Sequence, residues 1–375
     1  MKVLIACGGT GGHINPALAI AGIIAKHLPD TEFLFAGTPT GLEATLVPQA
    51  GYKIEFIKVA GFQRDLSLES IGKNIKAAAY LATSGAHAKK IVKKFAPDLA
   101  IGTGGYAAGP VIRAAQQLGI PTAIHEQNAY PGVTNKLLAK KAKAIMVNFE
   151  EAKKLFPENA PISVTGLPVR GELMRKNREQ AKQMLGFTDG MTILSFGGSQ
   201  GAKCLNDLMP DVIAWHQKGN LQINHIHAYG KHGRESFVPD MRAKGIQTDS
   251  PRLRVSEYIH DMDVCLAAAD IVISRAGAST LSELEAVGRA SVLIPYPSAA
   301  ENHQYHNAMV LGKAGAAIVI EQKDLTFEGL RTVLEELYQN PEKRMLMGQR
   351  AGELALRDVD ERIWKVLAPL LKQKG

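Results

Sequence analysis

Apolar positions along the chain follow two rhythms. Short, nearly unbroken apolar runs predict strands at Lys2–Cys7, Glu32–Ala36, Lys53–Val59, Leu99–Thr103, Thr122–His125, Ala144–Asn148 and Ile162–Thr165. Strands of this kind belong to parallel sheets covered on both faces. Between them lie helix-like stretches at Pro16–Lys26, Leu68–Phe95 and Ala107–Leu118. This alternation predicts an open, doubly wound α/β sheet. The segment Thr165–Arg170, TGLPVR, interrupts it with Gly166 and Pro168, a charged helix follows, and a domain boundary is expected there. The rhythm then restarts, with strands predicted at Thr192–Phe196, Leu221–Ala228, Leu253–Ser256, Ile271–Ser274, Ser291–Pro295 and Ala316–Ile320. Helices are expected at Leu205–Gln217, Asp261–Ala268, Ser279–Val287, His306–Lys313 and, as an amphipathic C-terminal stretch, Pro341–Lys372. Such sheets bind ligands outside the carboxyl ends of their strands, near the switch point. Two of them in tandem predict a site formed by facing clefts.

Composition narrows the class. The 375 residues suit two domains, and 46% hydrophobic with 21% charged residues is ordinary for a globular chain. No apolar stretch reaches the roughly 18 residues of a membrane span. The start, MKVLIACGGTGGH, breaks into glycines at once and reads as a first strand, not a signal peptide. Cys7, Cys204 and Cys265 fit neither a disulfide framework nor a zinc site; a reducing compartment and packing roles are expected. The formal charge of +8 suits an anionic partner, but no nucleic-acid motif accompanies it.

Six motifs carry candidate chemistry. The first, Cys7–Asn15 (CGGTGGHIN), runs from strand through glycines to helix, a place where backbone N–H groups meet anions. A dinucleotide fingerprint is disfavoured: Ile14 stands where the third glycine belongs, and the second strand ends FAGT, without a ribose-binding carboxylate. His13 reads as an acceptor contact or a general base, against the alternative of an inert helix-end histidine. In Thr103–Pro110, TGGYAAGP, Gly104 and Gly105 predict a phosphate-binding nest, and Tyr106 either closes a cleft or merely packs. In His125–Asn135, HEQNAYPGVTN, polar residues crowd a strand's end, and a bound ligand would satisfy them. Ser195–Lys203, SFGGSQGAK, resembles a diphosphate cradle with Ser199 and Gln200 inside it, although P-loop spacing fails. In Ser274–Gly288, Gly277, Ala278, Ser279 and Thr280 suit a phosphate and Glu283 a ribose diol; a capping box is the bland rival. In Pro295–Ala308, Glu301, Asn302, His303 and Gln304 suit sugar hydroxyls, and His303 with His306 makes a poor metal motif.

Read in order, GGTGGH, GTGGY, HEQN, GLPVR, GGSQGA, SRAGASTLSE and ENHQYHNA resemble the MurG family, bacterial transferases that convert lipid I to lipid II. Each motif alone is weak; the ordered set spans nearly the whole chain. The resemblance implies a GT-B fold, two doubly wound Rossmann-like domains with the active cleft between them. It implies an N-terminal acceptor- and membrane-binding domain over 1–165 and a UDP-N-acetylglucosamine-binding domain over 166–345. A C-terminal helix over 346–375 would pack back on the first domain. Ser199, Gln200 and the helix start at Gly277–Thr280 would hold the diphosphate, Glu283 the ribose, and Ile259 the uracil. Gln304, with Asn302 and His303, would contact the N-acetylglucosamine, and Asn128 and Arg170 would be donor contacts. Thr10, Gly11, Gly12 and His13 would lie on the acceptor side, with Gly104, Gly105, Tyr106 and His125. Asn15 stands where the family commonly has an aromatic, and the Pro295–Ala300 loop is a residue longer than in some relatives.

The implied reaction is an inverting transfer of N-acetylglucosamine from UDP-N-acetylglucosamine to the C4 hydroxyl of undecaprenyl-diphospho-N-acetylmuramyl-pentapeptide. His13 would be its base, Glu126 with a water relay the alternative. Helix N-termini would stabilise the leaving UDP, and no metal or cofactor is called for. The lipid acceptor implies peripheral attachment to the anionic cytoplasmic face of the cell membrane, and the cell-division and elongation machinery as partners. Lys73, Lys76, Lys89, Lys90, Lys93 and Lys94 around Ile75, Tyr80 and Leu81, with Lys136, Lys140, Lys141 and Lys143, are the candidate basic surface. The rival readings are another GT-B lipid glycosyltransferase, a UDP-sugar epimerase and a sugar-nucleotide-binding scaffold without turnover.

Overall fold

The computed structural model describes residues 1–59, 83–169, 173, 176–187 and 189–371. The chain divides into two compact units, Met1–Pro168 with Asp358–Gly375, and Val169–Arg357. These limits differ from boundaries at 165/166 and 345/346. Residues 346–354 complete a helix that packs inside the second unit, and the chain returns to the first only at Asp358.

The first unit has strands β1 (Lys2–Ala6), β2 (Glu32–Gly37), β3 (Lys53–Phe56), β4 (Leu99–Gly102), β5 (Thr122–Glu126), β6 (Ala144–Val147) and β7 (Ile162–Val164). All pair in parallel, in the order β3-β2-β1-β4-β5-β6-β7. Its helices are α1 (Gly11–His27), α2 (Glu43–Gln49), α3 (83–95), α4 (Ala108–Gln117) and α5 (Val133–Ala139). β1, β4, β5 and β6 are buried almost throughout, which is why they read as apolar runs without alternation. The core joins their side chains to Ile91, Val92 and Phe95 of α3 and to Val111 and Ile112 of α4. The last helix, Val359–Leu371, belongs to this unit and lies on α1, where Trp364 stacks on His27 at 4.2 Å between ring centroids.

The second unit opens with α6 (Arg178–Met184). Its strands are β8 (Met191–Phe196), β9 (Ile223–Ala228), β10 (Leu253–Ser256), β11 (Ile271–Ser274), β12 (Ala290–Leu293) and β13 (Ala317–Val319). These too are parallel, in the order β10-β9-β8-β11-β12-β13. Helices α7 (Lys203–Lys218), α8 (Phe237–Ala243), α9 (Met262–Ala268), α10 (Ala278–Val287), α11 (His303–Lys313), α12 (Phe327–Gln339) and α13 (Pro341–Leu354) cover the sheet. The predicted C-terminal helix is thus two helices: α13 ends at Leu354 and α14 (Val359–Leu371) starts after a break at 355–358. α10 ends at Gly288 in the left-handed conformation (φ 62°), and a Cβ on Gly348 of α13 would lie 2.6 Å from the Gly288 carbonyl oxygen.

In both units the strand order reverses direction beside the first strand, between β1 and β4 and between β8 and β11. That switch point is where ligands bind in open α/β sheets.

Candidate functional site

Three loops leave the carboxyl ends of three adjacent strands in each unit. In the first unit they follow β1, β4 and β5; in the second they follow β8, β11 and β12. The six sequence motifs fall on these three places, twice.

In the first unit, the loop after β1 leads into α1, whose N-cap residue Thr10 makes no side-chain cap. The N–H of Gly9 is instead taken by Glu43, at the start of α2, whose Oε2 lies 2.9 Å away. The other oxygen, Oε1, accepts from the Thr38 N–H at 2.8 Å and from its hydroxyl at 2.6 Å. Glu43 is fully buried, and a Cβ on Gly8 or Gly41 would strike its carboxylate. The second strand therefore does bring a carboxylate, six residues after Gly37, but it grips its own backbone and not a ribose. Beside it, Cys7 is buried with its thiol pushed up to about 12 by burial and by the Glu43 charge, so it packs.

The TGGY loop crosses directly over this loop. Gly104 (φ 108°) sits against the His13 ring, which a Cβ would meet at 2.6 Å. Gly105 (φ 82°) passes the Gly8 carbonyl, which a Cβ would meet at 2.2 Å. The two glycines are thus required by the close approach of two loops. Tyr106 is 65% exposed, so it does not serve as packing. It lines a cavity of about 770 Å³ with Lys89, Arg113, Leu137 and Leu138.

His13, half-buried at the start of α1, points Nδ1 at the Thr103 carbonyl (3.1 Å) and at Gln127 Oε1 (3.0 Å). The Thr103 hydroxyl donates back to the His13 carbonyl at 2.7 Å. Of the HEQN residues, only Asn128 is more than marginally exposed. Glu126 accepts four hydrogen bonds, from the Asn128 N–H and Nδ2, the Gly132 N–H and Asn135 Nδ2. Four donors saturate the lone pairs of a carboxylate. Glu126 therefore organises the loop after β5 through both of its oxygens. His125 is fully buried and donates from Nε2 to the Gly166 carbonyl at 3.0 Å; burial lowers its pKa to about 4. Its Nδ1 lies 3.1 Å from Gln127 Nε2.

In the second unit the loop after β8 is closed by backbone alone. A Cβ on Gly201 (φ 81°) would lie 2.1 Å from the Tyr229 carbonyl, and one on Gly230 equally close to the Gly201 nitrogen. Ser199 and Gln200 are exposed on it, and α7 has no side-chain cap. The loop after β11 leads to α10, capped by the backbone of Gly277 without any side chain. Ser279 and Thr280 therefore lie inside the first turn and form no capping box with Glu283. The Ser279 hydroxyl is buried without a hydrogen-bond partner among the described residues. Glu283, one turn further on, is half-exposed. Arg275 holds the next loop by donating to the Ile294 and Pro295 carbonyls and to Gln322 Oε1.

Gln304 spends its carbonyl oxygen inside the unit, accepting from the Ala276 N–H at 3.2 Å and the Tyr296 N–H at 3.0 Å. Glu301 and Asn302 both adopt left-handed backbone, φ 52° and 51°. His303 Nδ1 is engaged by the Ala300 carbonyl at 2.7 Å. Ile259 is only 2% exposed, in the loop between β10 and α9. Arg170 lies outside the described residues, as do Lys73, Ile75, Lys76, Tyr80 and Leu81. Glu43, Thr103, Gln127 and Arg275 are the contributors that motif reading does not single out.

Comparison with known proteins now adds to the geometry. Residues 3–147 match the model of the glycosyltransferase family 28 N-terminal domain, and residues 192–363 that of its C-terminal domain. A protein of Desulfitobacterium hafniense is 45% identical over 370 residues, covering 98% of both chains. One of Acetivibrio thermocellus is 42% identical over 376 residues, covering 100% of both. Each is named a UDP-N-acetylglucosamine–N-acetylmuramyl-(pentapeptide) pyrophosphoryl-undecaprenol N-acetylglucosamine transferase. Among solved structures, Acinetobacter baumannii MurG superposes with a TM-score of 0.74 at 30% identity, covering 98% of this chain and 99% of its own. UDP-GlcNAc 2-epimerase from Neisseria meningitidis reaches a TM-score of 0.63 at 14% identity over 98% of this chain and 100% of its own, a likeness of fold alone.

Proposed function

The chain belongs to the family of these N-acetylglucosamine transferases, and from that premise we propose how its residues divide the work of making lipid II. It is a glycosyltransferase of GT-B fold that moves N-acetylglucosamine from UDP-N-acetylglucosamine to the N-acetylmuramyl-pentapeptide of an undecaprenyl diphosphate.

We assign donor binding to the second unit. The observation that carries this is the uncapped start of α10 with its unpartnered Ser279 hydroxyl. A diphosphate would accept from both, and would sit at the positive end of the helix. Ser199, Gln200 and Gly277–Thr280 then hold the diphosphate, Glu283 the ribose, and the loop around Ile259 the uracil. Gln304, its oxygen already engaged, offers Nε2 to the sugar beside Asn302 and His303. Asn128 and Arg170 complete the donor contacts.

The acceptor belongs to the first unit, with Thr10–Gly12, Gly104, Gly105 and Tyr106 around His13. Its C4 hydroxyl attacks C1 of the donor sugar in line, so the configuration inverts. The proton passes to His13 Nε2 as the C1–oxygen bond to the diphosphate breaks, and UDP leaves into the N–H groups of α7 and α10. Radiolabelled UDP-N-acetylglucosamine with lipid I tests the division: label moves into the lipid phase, and His13→Ala slows this by about 10²–10⁴-fold without weakening UDP binding. Undiminished turnover rejects the base; conversion of UDP-N-acetylglucosamine to its C2 epimer without lipid would favour the epimerase.

No helix among the described residues is long and apolar enough to cross a membrane. We propose peripheral attachment to the cytoplasmic side through the first unit. Val133 and Leu137, one turn apart on α5, are 57% and 64% exposed, and Lys136, Lys140, Lys141 and Lys143 border them. Lysines 89, 90 and 93 of α3 add exposed charge, while Lys94 pairs with Glu55 at 3.2 Å. Each basic residue near an anionic leaflet contributes about 1 kcal/mol. Vesicle sedimentation checks this: binding requires anionic lipid and falls when Lys136 and Lys140 become Glu. The cell-division and elongation machinery remains the proposed partner of the attached enzyme.

A further inference from the structure

We propose that Gln127 is a positioning residue that fixes the tautomer of His13, so that Nδ1 carries the hydrogen and Nε2 the lone pair that takes the acceptor proton. This rests on reading His13 as the base. The argument starts at Nδ1, which faces two oxygens, the Thr103 carbonyl at 3.1 Å and Gln127 Oε1 at 3.0 Å. A carbonyl cannot donate, so the ring nitrogen must.

The orientation of the Gln127 amide follows from its other end. Nε2 lies 2.8 Å from the Thr103 carbonyl and 3.0 Å from the His125 carbonyl. Turning the amide over would press its oxygen against both and take away the donor they share. The amide nitrogen also lies 3.1 Å from His125 Nδ1, while His125 Nε2 lies 3.0 Å from the Gly166 carbonyl. The second histidine must donate at Nε2 and accept at Nδ1. Hydrogens thus point one way along the chain: His125 to Gly166, Gln127 to His125, His13 to Gln127. Gln127 is 2% exposed, and Thr103 and His125 are fully buried, so water cannot compete for these contacts. The neutral imidazole of His13 has one donor and one acceptor, and its only remaining nitrogen is Nε2.

The test uses the full-length enzyme labelled with ¹⁵N at histidine, the His13 signals being those lost in His13→Ala. In the wild type, neutral His13 shows a protonated Nδ1 and a bare Nε2. Gln127→Met removes one of the two acceptors; the tautomers mix, and kcat falls about 10- to 100-fold, less than complete loss of a base, with KM for UDP-N-acetylglucosamine unchanged. In a His13→Ala background, Gln127→Met slows transfer no further, because residues acting as one unit are not additive. A bare Nδ1 in the wild type overturns the assignment, and so does an undiminished effect of Gln127→Met in that background. If His13→Ala itself keeps full turnover, the base reading falls alone, and the nitrogen spectra still decide what Gln127 does. The wild-type spectrum needs no variant, so a misfolded substitution leaves the test intact.

Discussion

The glycine loop after β1 and the glycine loop after β8 hold the same place in the same kind of sheet, and they differ in what fills them. Past β2, Glu43 folds back and fills the first loop with a carboxylate 2.9 Å from the Gly9 N–H. Past β9, the corresponding segment carries Lys231 and Arg234, the latter paired with Glu257 at 2.6 Å, and the second loop is closed by backbone. Glycines give a backbone that can meet a ligand closely; they do not decide which ligand. The adjacent side chain does. With its anion already built in, the first loop suits, on the proposed division, a neutral hydroxyl and the histidine beside it, and the second a diphosphate.

The largest effect should come from copying the first loop's charge into the second. Ser199→Asp is expected to weaken UDP about 100-fold or more, since a like charge facing a bound anion costs several kcal/mol. Thr10→Asp, the matching change in the first unit, should alter UDP affinity less than about threefold by the same argument. Calorimetric titration of UDP measures both, and equal losses would erase the distinction between the loops.

Next comes removal of the built-in carboxylate. Glu43→Ala strands the Gly9 and Thr38 donors and should destabilise the first unit by about 3 kcal/mol, taking charge-assisted bonds at about 1.5–3 kcal/mol each with partial rehydration. The chain has two tryptophans, Trp215 in the second unit and Trp364 in the first, so each unit has its own fluorescent reporter. Urea unfolding followed by Trp364 in Trp215→Phe should show the loss, and sulfate should restore part of it. Loss without any rescue would mean that the loop is not an anion site even when emptied.

The third test separates the units by acid. Burial lowers His216 to about 4 and His227 to about 3 and drives His225 well below its usual value; the first unit has only His125, at about 4. The second unit's histidines adjoin one another: the Ser195 hydroxyl lies 2.9 Å from His225 and 2.8 Å from His227, and His216 Nε2 lies 3.2 Å from His225 Nδ1. Histidines kept neutral stabilise the fold fully above the unfolded value near 6.5. That stability is lost as pH falls from there toward 4, because the unfolded chain takes up protons first. His216 alone is worth on the order of 3 kcal/mol at the acid limit. Trp215 should therefore report unfolding at a higher pH than Trp364. The reverse order would refute the contribution of the buried group.

Much of this architecture was readable in advance. Each strand lies within a few residues of its apolar run, because β1, β4, β8 and β11 are sealed on both faces and show no alternation to confuse them. Short helices were less visible: α2, α5 and α8 have seven residues each, too few for a period to stand out. α12 was not predicted, although Leu330, Leu334 and Leu337 form its buried stripe. In the site, the motifs located the loops but not the contacts that support them. His13 and Gln127 meet across 114 positions and Glu43 reaches back 34, distances at which spacing carries no information. The four donors around Glu126 were hidden in the same way, since they come from a loop whose fold spacing does not give.

The bend at Glu301–Asn302 has a meaning beyond the sugar contact proposed for it. Left-handed backbone disfavours a residue with a Cβ by roughly 1–2 kcal/mol, and glycine would relieve it. Two residues with functional side chains stand there instead, at a cost in stability. Thermostable descendants bred for melting temperature alone should accumulate glycine at these positions and lose their discrimination among hexosamines.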